Sequence, residues 1–382
     1  MRTRDYKASV LNHLYRTGGG TRQEIMGSLQ MRLNNIVAAC NELLASGDIV
    51  REDAARRRNV KLLLHEDRFM ALGAEHGTET LRLVLLDSRH REHARGTVRL
   101  APELSGRARL ERIALEMRNF LRQHLVDPRC RLISAGFADV AIFDKATGRS
   151  IYSAHVKDWV DQPVREVLQQ SMGVQTSVMT RSDAGCCADV FRERPTSPGD
   201  NLLYLVVHNG IGSCLILGGR ALHDFLPSSG EMQIAVGTAG SSPRVMLESV
   251  SSTAGMTEKF LALRPHSSEE AARITWRDID DAARHGDAAA ADILRIGGGT
   301  LGIIAANLAG FVGVDRIIVN CEVDDSRKLY RGAFETALRE NIIEPLKKSL
   351  TVAFTDYDEF NNATGAAIIS QNEYFSASGL RE

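Results

Sequence analysis

Apolar residues recur at helical spacing from the start of the chain. In residues 6–16 (YKASVLNHLYR), Val10, Leu11, Leu14 and Tyr15 form one apolar stripe, and Gly18, Gly19 and Gly20 stop the helix behind it. Thr21 and Glu24 have the T-x-x-E form of a capping box, so a short second helix is predicted to begin at about Thr21. A third helix is predicted from about Arg32 to Ser46, burying Ile36, Cys40, Leu43 and Leu44, with Gly47 as its terminating glycine. Two short strands follow, Asp48 to Arg51 and Val60 to Leu64, flanking a basic tip at Arg56, Arg57 and Arg58.

After His65 the pattern changes to strands alternating with helices. Phe69–Glu75, Leu81–Asp87 and Thr97–Leu100 read as strands, Arg107–Leu125 as a helix, and Leu132–Gly136 and Val140–Phe143 as strands. Val164–Met172 is predicted helical and Gln175–Met179 extended. A second cycle begins with strands Leu202–Val207 and Ser213–Leu217 and continues through helices in the 240s to 310s. Strand Arg316–Asn320, helix Lys328–Lys348, strand Thr351–Phe354 and helix Ala363–Gln371 complete it. Two βββαβα halves imply a duplicated α/β architecture with ligands between the halves. The expected domains are 1–66, 67–190 and 191–382, with the final helix able to return to the middle one.

Three helices and a β-hairpin describe a winged helix-turn-helix, in which the start of the third helix faces base edges in the major groove. Arg32, Asn34 and Asn35 stand there, and Arg and Asn pair bidentately with guanine and adenine. Arg22 and Gln23 open the second helix beside them. Arg56, Arg57 and Arg58 are expected on phosphate or in the minor groove. Charge supports this division: residues 1–66 hold 11 Lys/Arg against 7 Asp/Glu, a net of +4, inside a chain whose total is −1. The competing reading is a protein-binding winged helix with a solvated basic tip.

With 43% hydrophobic and 25% charged residues, the 382-residue chain has the composition of a globular protein and the length for two or three domains. No long uncharged apolar run and no signal-like N-terminus are evident, so a cytoplasmic location is expected, with no membrane partner. The six cysteines, Cys40, Cys130, Cys186, Cys187, Cys214 and Cys321, form no C-x-x-C pair and read as small buried hydrophobes.

Several stretches carry a family resemblance: Lys157–Phe191, Leu202–Leu222, Ser228–Gly237, Met246–Ser249 and Leu301–Val319. In this order and spacing they resemble the ROK family of repressors and sugar kinases, over nearly the whole chain once the winged helix is included. The resemblance implies an actin-like (ribonuclease H-like, sugar-kinase-type) fold and a homodimer or homotetramer. It also implies a sugar site. Where the family has an Asn-Asp pair, this chain has Ser182-Asp183. Glu231 matches the Glu of the family's G-E-x-G-H element, but Ile234 replaces its zinc-ligating His. Glu248 matches a second sugar-binding Glu, while the Cys-rich zinc loop before it reads GTAGSSPRVM. No metal is therefore expected, because tetrahedral zinc needs Cys or His ligands.

The same resemblance locates the phosphate contacts of the kinases. Their D-x-G-G-T turn corresponds to Glu75, His76, Gly77, Thr78 and Glu79, where the extra acid at Glu79 would repel phosphate. The second phosphate loop reads His208-Asn209-Gly210-Ile211-Gly212, and Cys321-Glu322 replaces the adenosine-side glycine pair. These departures predict that phosphoryl transfer is lost and that no cofactor is bound. Asp183, Glu231, Glu248, Asn209 and Gly210 are the expected effector contacts. Three carboxylates favour a sugar or amino sugar over a sugar phosphate. His76, His208, His223 and Trp159 read as structural, and Gly297, Gly298 and Gly299 predict a kink or a close helix approach. The expectation is a DNA-binding transcriptional regulator, a repressor of carbohydrate-metabolism genes. Its rivals are a sugar kinase with an unorthodox nucleotide site and a regulator with a vestigial cleft.

Overall fold

A computed structural model describes residues 3–53, 59–153, 156–191, 199–221, 232–235, 244–323 and 328–380. The chain divides into two compact units, Met1–Pro195 with Glu359–Glu382, and Thr196–Asp358.

Unit 1 begins with α1 (Thr3–Thr17), α2 (Arg22–Leu29) and α3 (Leu33–Ser46), followed by the antiparallel pair β1 (Ile49–Arg51) and β2 (Leu62–Leu64). The capping box forms as its sequence requires: Glu24 N–H donates to Thr21 Oγ1 at 3.3 Å and Thr21 N–H to Glu24 Oε2 at 2.7 Å. Gly47 takes φ 72°, a left-handed cap that suits glycine. Val10, Leu14, Ile25, Ile36, Cys40 and Leu43 close the core of this head. That core continues without a break into Phe69, Ile133 and Phe375 of the body.

The body of unit 1 comprises β3 (Phe69–His76), β4 (Thr80–Leu86), β5 (Glu92–Arg99), α4 (Gly106–His124), β6 (Arg131–Asp139), β7 (Ile142–Phe143), β8 (Ser150–Tyr152), α5 (Val164–Met172), β9 (Gln175–Thr180) and α6 (Arg181–Phe191). Its main sheet runs β5-β4-β3-β6-β9, antiparallel across the first three strands and parallel thereafter.

Unit 2 repeats the plan. It contains β10 (Leu202–Val207), β11 (Ile211–Leu217), β12 (Arg220–Ala221), β13 (Gln233–Ala235), β14 (Arg244–Met246), α7 (Glu248–Ser251), α8 (Thr253–Ala262), α9 (Ser268–Ala271), α10 (Trp276–Arg284), α11 (Ala288–Val312), β15 (Arg316–Cys321), α12 (Leu329–Asn341), α13 (Glu344–Lys347) and β16 (Thr351–Thr355). The order β12-β11-β10-β15-β16 is that of the first sheet, again with three antiparallel strands followed by two parallel ones. This is the duplicated actin-like plan. The last helix, α14 (Asn361–Leu380), belongs to unit 1.

Four elements differ from expectation. The helix predicted over Lys328–Lys348 breaks at Ile342 and Ile343, because Pro345 can open a new turn but not continue an old one. β5 begins at Glu92 rather than Thr97, and α14 extends to Leu380 rather than Gln371. The glycine run at 297–299 causes no break: α11 runs unbroken for 25 residues. Its glycines serve a close approach instead, since a Cβ on Gly298 or Gly302 would overlap the carbonyl oxygen of Tyr330 or Phe334 in α12. By length and composition α11 could also cross a membrane, contrary to the reading of the sequence, but half of its apolar window is buried inside unit 2.

Candidate functional site

The head presents the start of α3 to solvent. Arg32 takes extended backbone as the N-cap, with no side-chain cap, and Arg32, Leu33 and Asn34 are exposed while Asn35 is half-buried. No acidic residue lies in the first turn, so nothing there opposes an approaching polyanion. Gln23 is also exposed. Arg22 behaves differently: its Nη2 donates to Asn41 Oδ1 at 3.1 Å, bracing α2 against α3. Arg56, Arg57 and Arg58 lie outside the described residues.

The turn between β3 and β4, which the resemblance matches to the kinases' first phosphate loop, is tied down from inside. Arg109, only 2% exposed on α4, donates Nε to His76 Nε2 at 2.8 Å. Its Nη2 reaches the carbonyl oxygens of Gly77 and Thr78, and its Nη1 that of Leu104. Because a guanidinium only donates, His76 Nε2 must accept, which puts the imidazole proton on Nδ1. That proton goes to Asp139 Oδ1 at 2.9 Å, while Trp159 Nε1–H donates to Asp139 Oδ2 at 2.7 Å. Burial pushes the Arg109 pKa down and the Asp139 charge opposes the shift. His76 and Trp159 are thus structural, as read from the sequence. Arg109 was missed: it stands in a polar-looking stretch (GRARLER), and its partners lie about thirty residues away in the chain.

Glu75, at the end of β3, is 1% exposed and is surrounded by donors. Arg82 Nη1 lies 3.3 Å from its Oε2, Arg181 Nε 2.8 Å from its Oε1, and Asn362 Nδ2 donates to Oε1 at 3.1 Å. Glu79 is exposed at the far side of the turn. The negative charge expected to fill the cradle is therefore split: Glu75 is neutralised by two guanidiniums, and Glu79 faces solvent. A turn whose carbonyls are held by Arg109 is not arranged to cradle the phosphates of a nucleotide.

Asp183 sits in the first turn of α6 and is buried, its N–H donating to Thr180 Oγ1 at 3.2 Å. The same helix is pinned to α14, where Asn361 Nδ2 donates to Asp189 Oδ1 at 2.7 Å. A Cβ on Gly365 would overlap the carbonyl oxygen of Ala184, so the two helices touch backbone to backbone one residue from Asp183.

In unit 2 the β10–β11 turn places Gly210 against Glu248, whose Oε2 lies 3.0 Å from where a Gly210 Cβ would stand. Asn209 is exposed beside it. His208 Nε2–H donates to Asn320 Oδ1 at 2.6 Å, and Asn320 Nδ2 donates to Thr355 Oγ1 at 3.0 Å. This network ties the carboxyl ends of β10, β15 and β16 together and makes His208 structural. Unit 2 thus brings Gly210 and Glu248 together, while Asp183 belongs to unit 1. Glu231, His223 and residues 236–243 lie outside the described residues. Among the described residues no disulfide is formed, and of the six cysteines all but Cys130 are buried.

Among solved structures, a ROK family transcriptional regulator described as a homologue of the E. coli Mlc protein superposes with a TM-score of 0.80 at 18% identity, covering 98% of each chain. The ROK hexokinase from Thermus thermophilus gives 0.64 at 18% identity over 80% of this chain and 98% of its own. A ROK glucokinase from Streptomyces griseus, solved with glucose and AMPPNP, gives 0.61 at 17% over 79% and 99%. No curated protein sequence matches the chain. The ROK family model matches residues 72–373, and the chain belongs to that family.

Proposed function

We propose that this protein is a DNA-binding transcriptional regulator, a cytoplasmic repressor of carbohydrate-metabolism genes that acts as a homodimer or homotetramer. The observation that carries the reading is the bare, exposed start of α3, with Arg32 and Asn34 outward, on a head that shares one core with the ROK body. The regulator fold covers 98% of this chain, whereas the two kinase folds cover 80% and 79% of it. Arg32, Asn34, Asn35 and Gln23 would read bases, with Arg56, Arg57 and Arg58 on the backbone. Asp183, Asn209, Gly210, Glu231 and Glu248 are the proposed effector contacts.

Selection of genomic fragments by the full-length protein, followed by titration of the recovered site, tests the reading. Sequence-specific binding that weakens in Arg32→Ala and Asn34→Ala supports it. A truncation of residues 1–66 is a poor test, because it would strip Phe69, Ile133 and Phe375 of their packing partners.

One observation favours a kinase instead: Asp183, which would be the general base, is kept at the start of α6. Against it stands the Arg109-held turn. ATP-dependent phosphorylation of a hexose, abolished in Asp183→Asn, would establish the kinase.

A further inference from the structure

Arg181 is the least satisfied cation beside Asp183. It opens α6, and its side chain is 36% exposed. Its Nε lies 2.8 Å from Glu75 Oε1 yet out of line for a hydrogen bond, so the contact is charge on charge. Its two terminal nitrogens have no protein partner among the described residues. Glu75 does not depend on it for donors, since Arg82 and Asn362 each donate a hydrogen bond to that carboxylate. A half-buried guanidinium with no directed bond is a fork preorganised for bidentate pairing with an oxyanion.

Resting on the reading of Asp183 as an effector contact, we propose that Arg181 selects a polyhydroxylated ligand carrying an oxyanion, a carboxylate or a phosphate. Glu75 acts as its internal placeholder. Ligand hydroxyls donate to Asp183, and the oxyanion takes the Nη pair of Arg181 at the positive end of α6. A neutral sugar covering this site would strip water from the guanidinium without supplying a charge, which is unfavourable. An amino sugar would add a second cation. The preference is therefore the reverse of the one that a count of carboxylates along the sequence suggests, because that count omits Arg82 and Arg181.

The test is calorimetric titration of the full-length protein with glucose, mannose and N-acetylglucosamine, with glucosamine, with glucuronate, and with the three hexose 6-phosphates. Inorganic phosphate serves as the anion-only control. The expected result is that one oxyanion class binds best, glucuronate or the 6-phosphates, and weakens with salt. Its affinity falls at least about tenfold in Arg181→Gln, whose fold is checked by circular dichroism. Glu75→Gln should move the other way, tightening the anionic ligand by freeing Arg181, a gain that a purely structural role would not produce. Several outcomes overturn the inference: neutral or amino sugars binding as tightly as the anionic ones, inorganic phosphate alone matching them, or Arg181→Gln leaving affinity unchanged. If no sugar of any class binds while operator DNA is still bound, this inference falls and the regulator reading stands. If no DNA is bound either, both fall.

Discussion

The hydroxyl of Tyr15 in α1 donates to Asn372 Oδ1 in α14 at 2.8 Å, across 357 positions of sequence. Since that proton is committed, His90 Nε2–H must donate to the same oxygen, also at 2.8 Å. The Tyr15 ring stacks on Phe375 with centroids 4.3 Å apart. One side chain therefore joins the head, the β4–β5 tip and the last helix. Burial pushes the Tyr15 pKa up, so the hydroxyl keeps its proton and remains a donor. α14 carries the connection onward, with Asn362 on Glu75 at its other end and Gly365 against α6.

Tyr15→Phe keeps the stacking and removes both hydrogen bonds, so Asn372 and His90 each lose one. A loss of about 1–3 kcal/mol is expected. Thermal unfolding checks the loss, and amide exchange should show it concentrated in α1. A variant that unfolds and exchanges like wild type would mean that the head is held by apolar packing alone.

Adjacent glycines of α11 should respond with opposite signs. Gly298 presses on the Tyr330 carbonyl, so Gly298→Ala forces α11 and α12 apart and should cost about 3 kcal/mol, the upper end for overpacking. Gly299 has nothing within 4 Å, so Gly299→Ala should stabilise by up to about 1 kcal/mol through helix propensity. Denaturant midpoints of the two variants decide the matter, and equal shifts would contradict the packing described.

Arg109→Ala should take the donor from His76 Nε2 and free the carbonyls of Gly77, Thr78 and Leu104. Leaving buried acceptors unsatisfied costs about 1–3 kcal/mol each, so the variant should melt well below wild type. Arg109→Lys should recover only part of the loss, because a point charge cannot serve His76 and three carbonyls at once.

Asp87 supplies the pH prediction. Burial raises its pKa, while the N–H groups of Arg91 and Arg89 pull it back down. A carboxyl whose folded pKa is raised opposes folding at pH 7, and the penalty fades as pH falls through that raised value. Asp87→Asn keeps an acceptor for both N–H groups, so it should match or exceed wild-type stability at pH 7. Its advantage should shrink on acidification, as read from paired melts. An advantage that grows toward low pH would reverse the assignment.

The head was legible because its signals are local: the Thr21–Glu24 box, the Gly47 cap and the stripe through Leu14 all act within a few residues. The strand order was legible only as two cycles, and the shared order of the two sheets is a product of pairing. The length of α14 was hidden because it is buried on several sides at once, so Ala363, Ala366, Ala367 and Ile368 show no single apolar face. The site was least legible. Arg109 and Arg181 sit in ordinary polar stretches and Arg82 inside an apolar strand, and only folding brings the first to His76 and the other two to Glu75. A reading of charge along the chain could weigh the acids of the pocket region but could not assign each of them its cation.

The account turns on the exposed start of α3 reading DNA. The most direct measurement is fluorescence anisotropy of the full-length protein on a genomically selected site, with Arg32→Ala and Asn34→Ala alongside wild type. The prediction is specific, salt-dependent binding that each substitution weakens by about 1–3 kcal/mol while circular dichroism stays unchanged. Binding that ignores sequence, or that both substitutions leave intact, would contradict it.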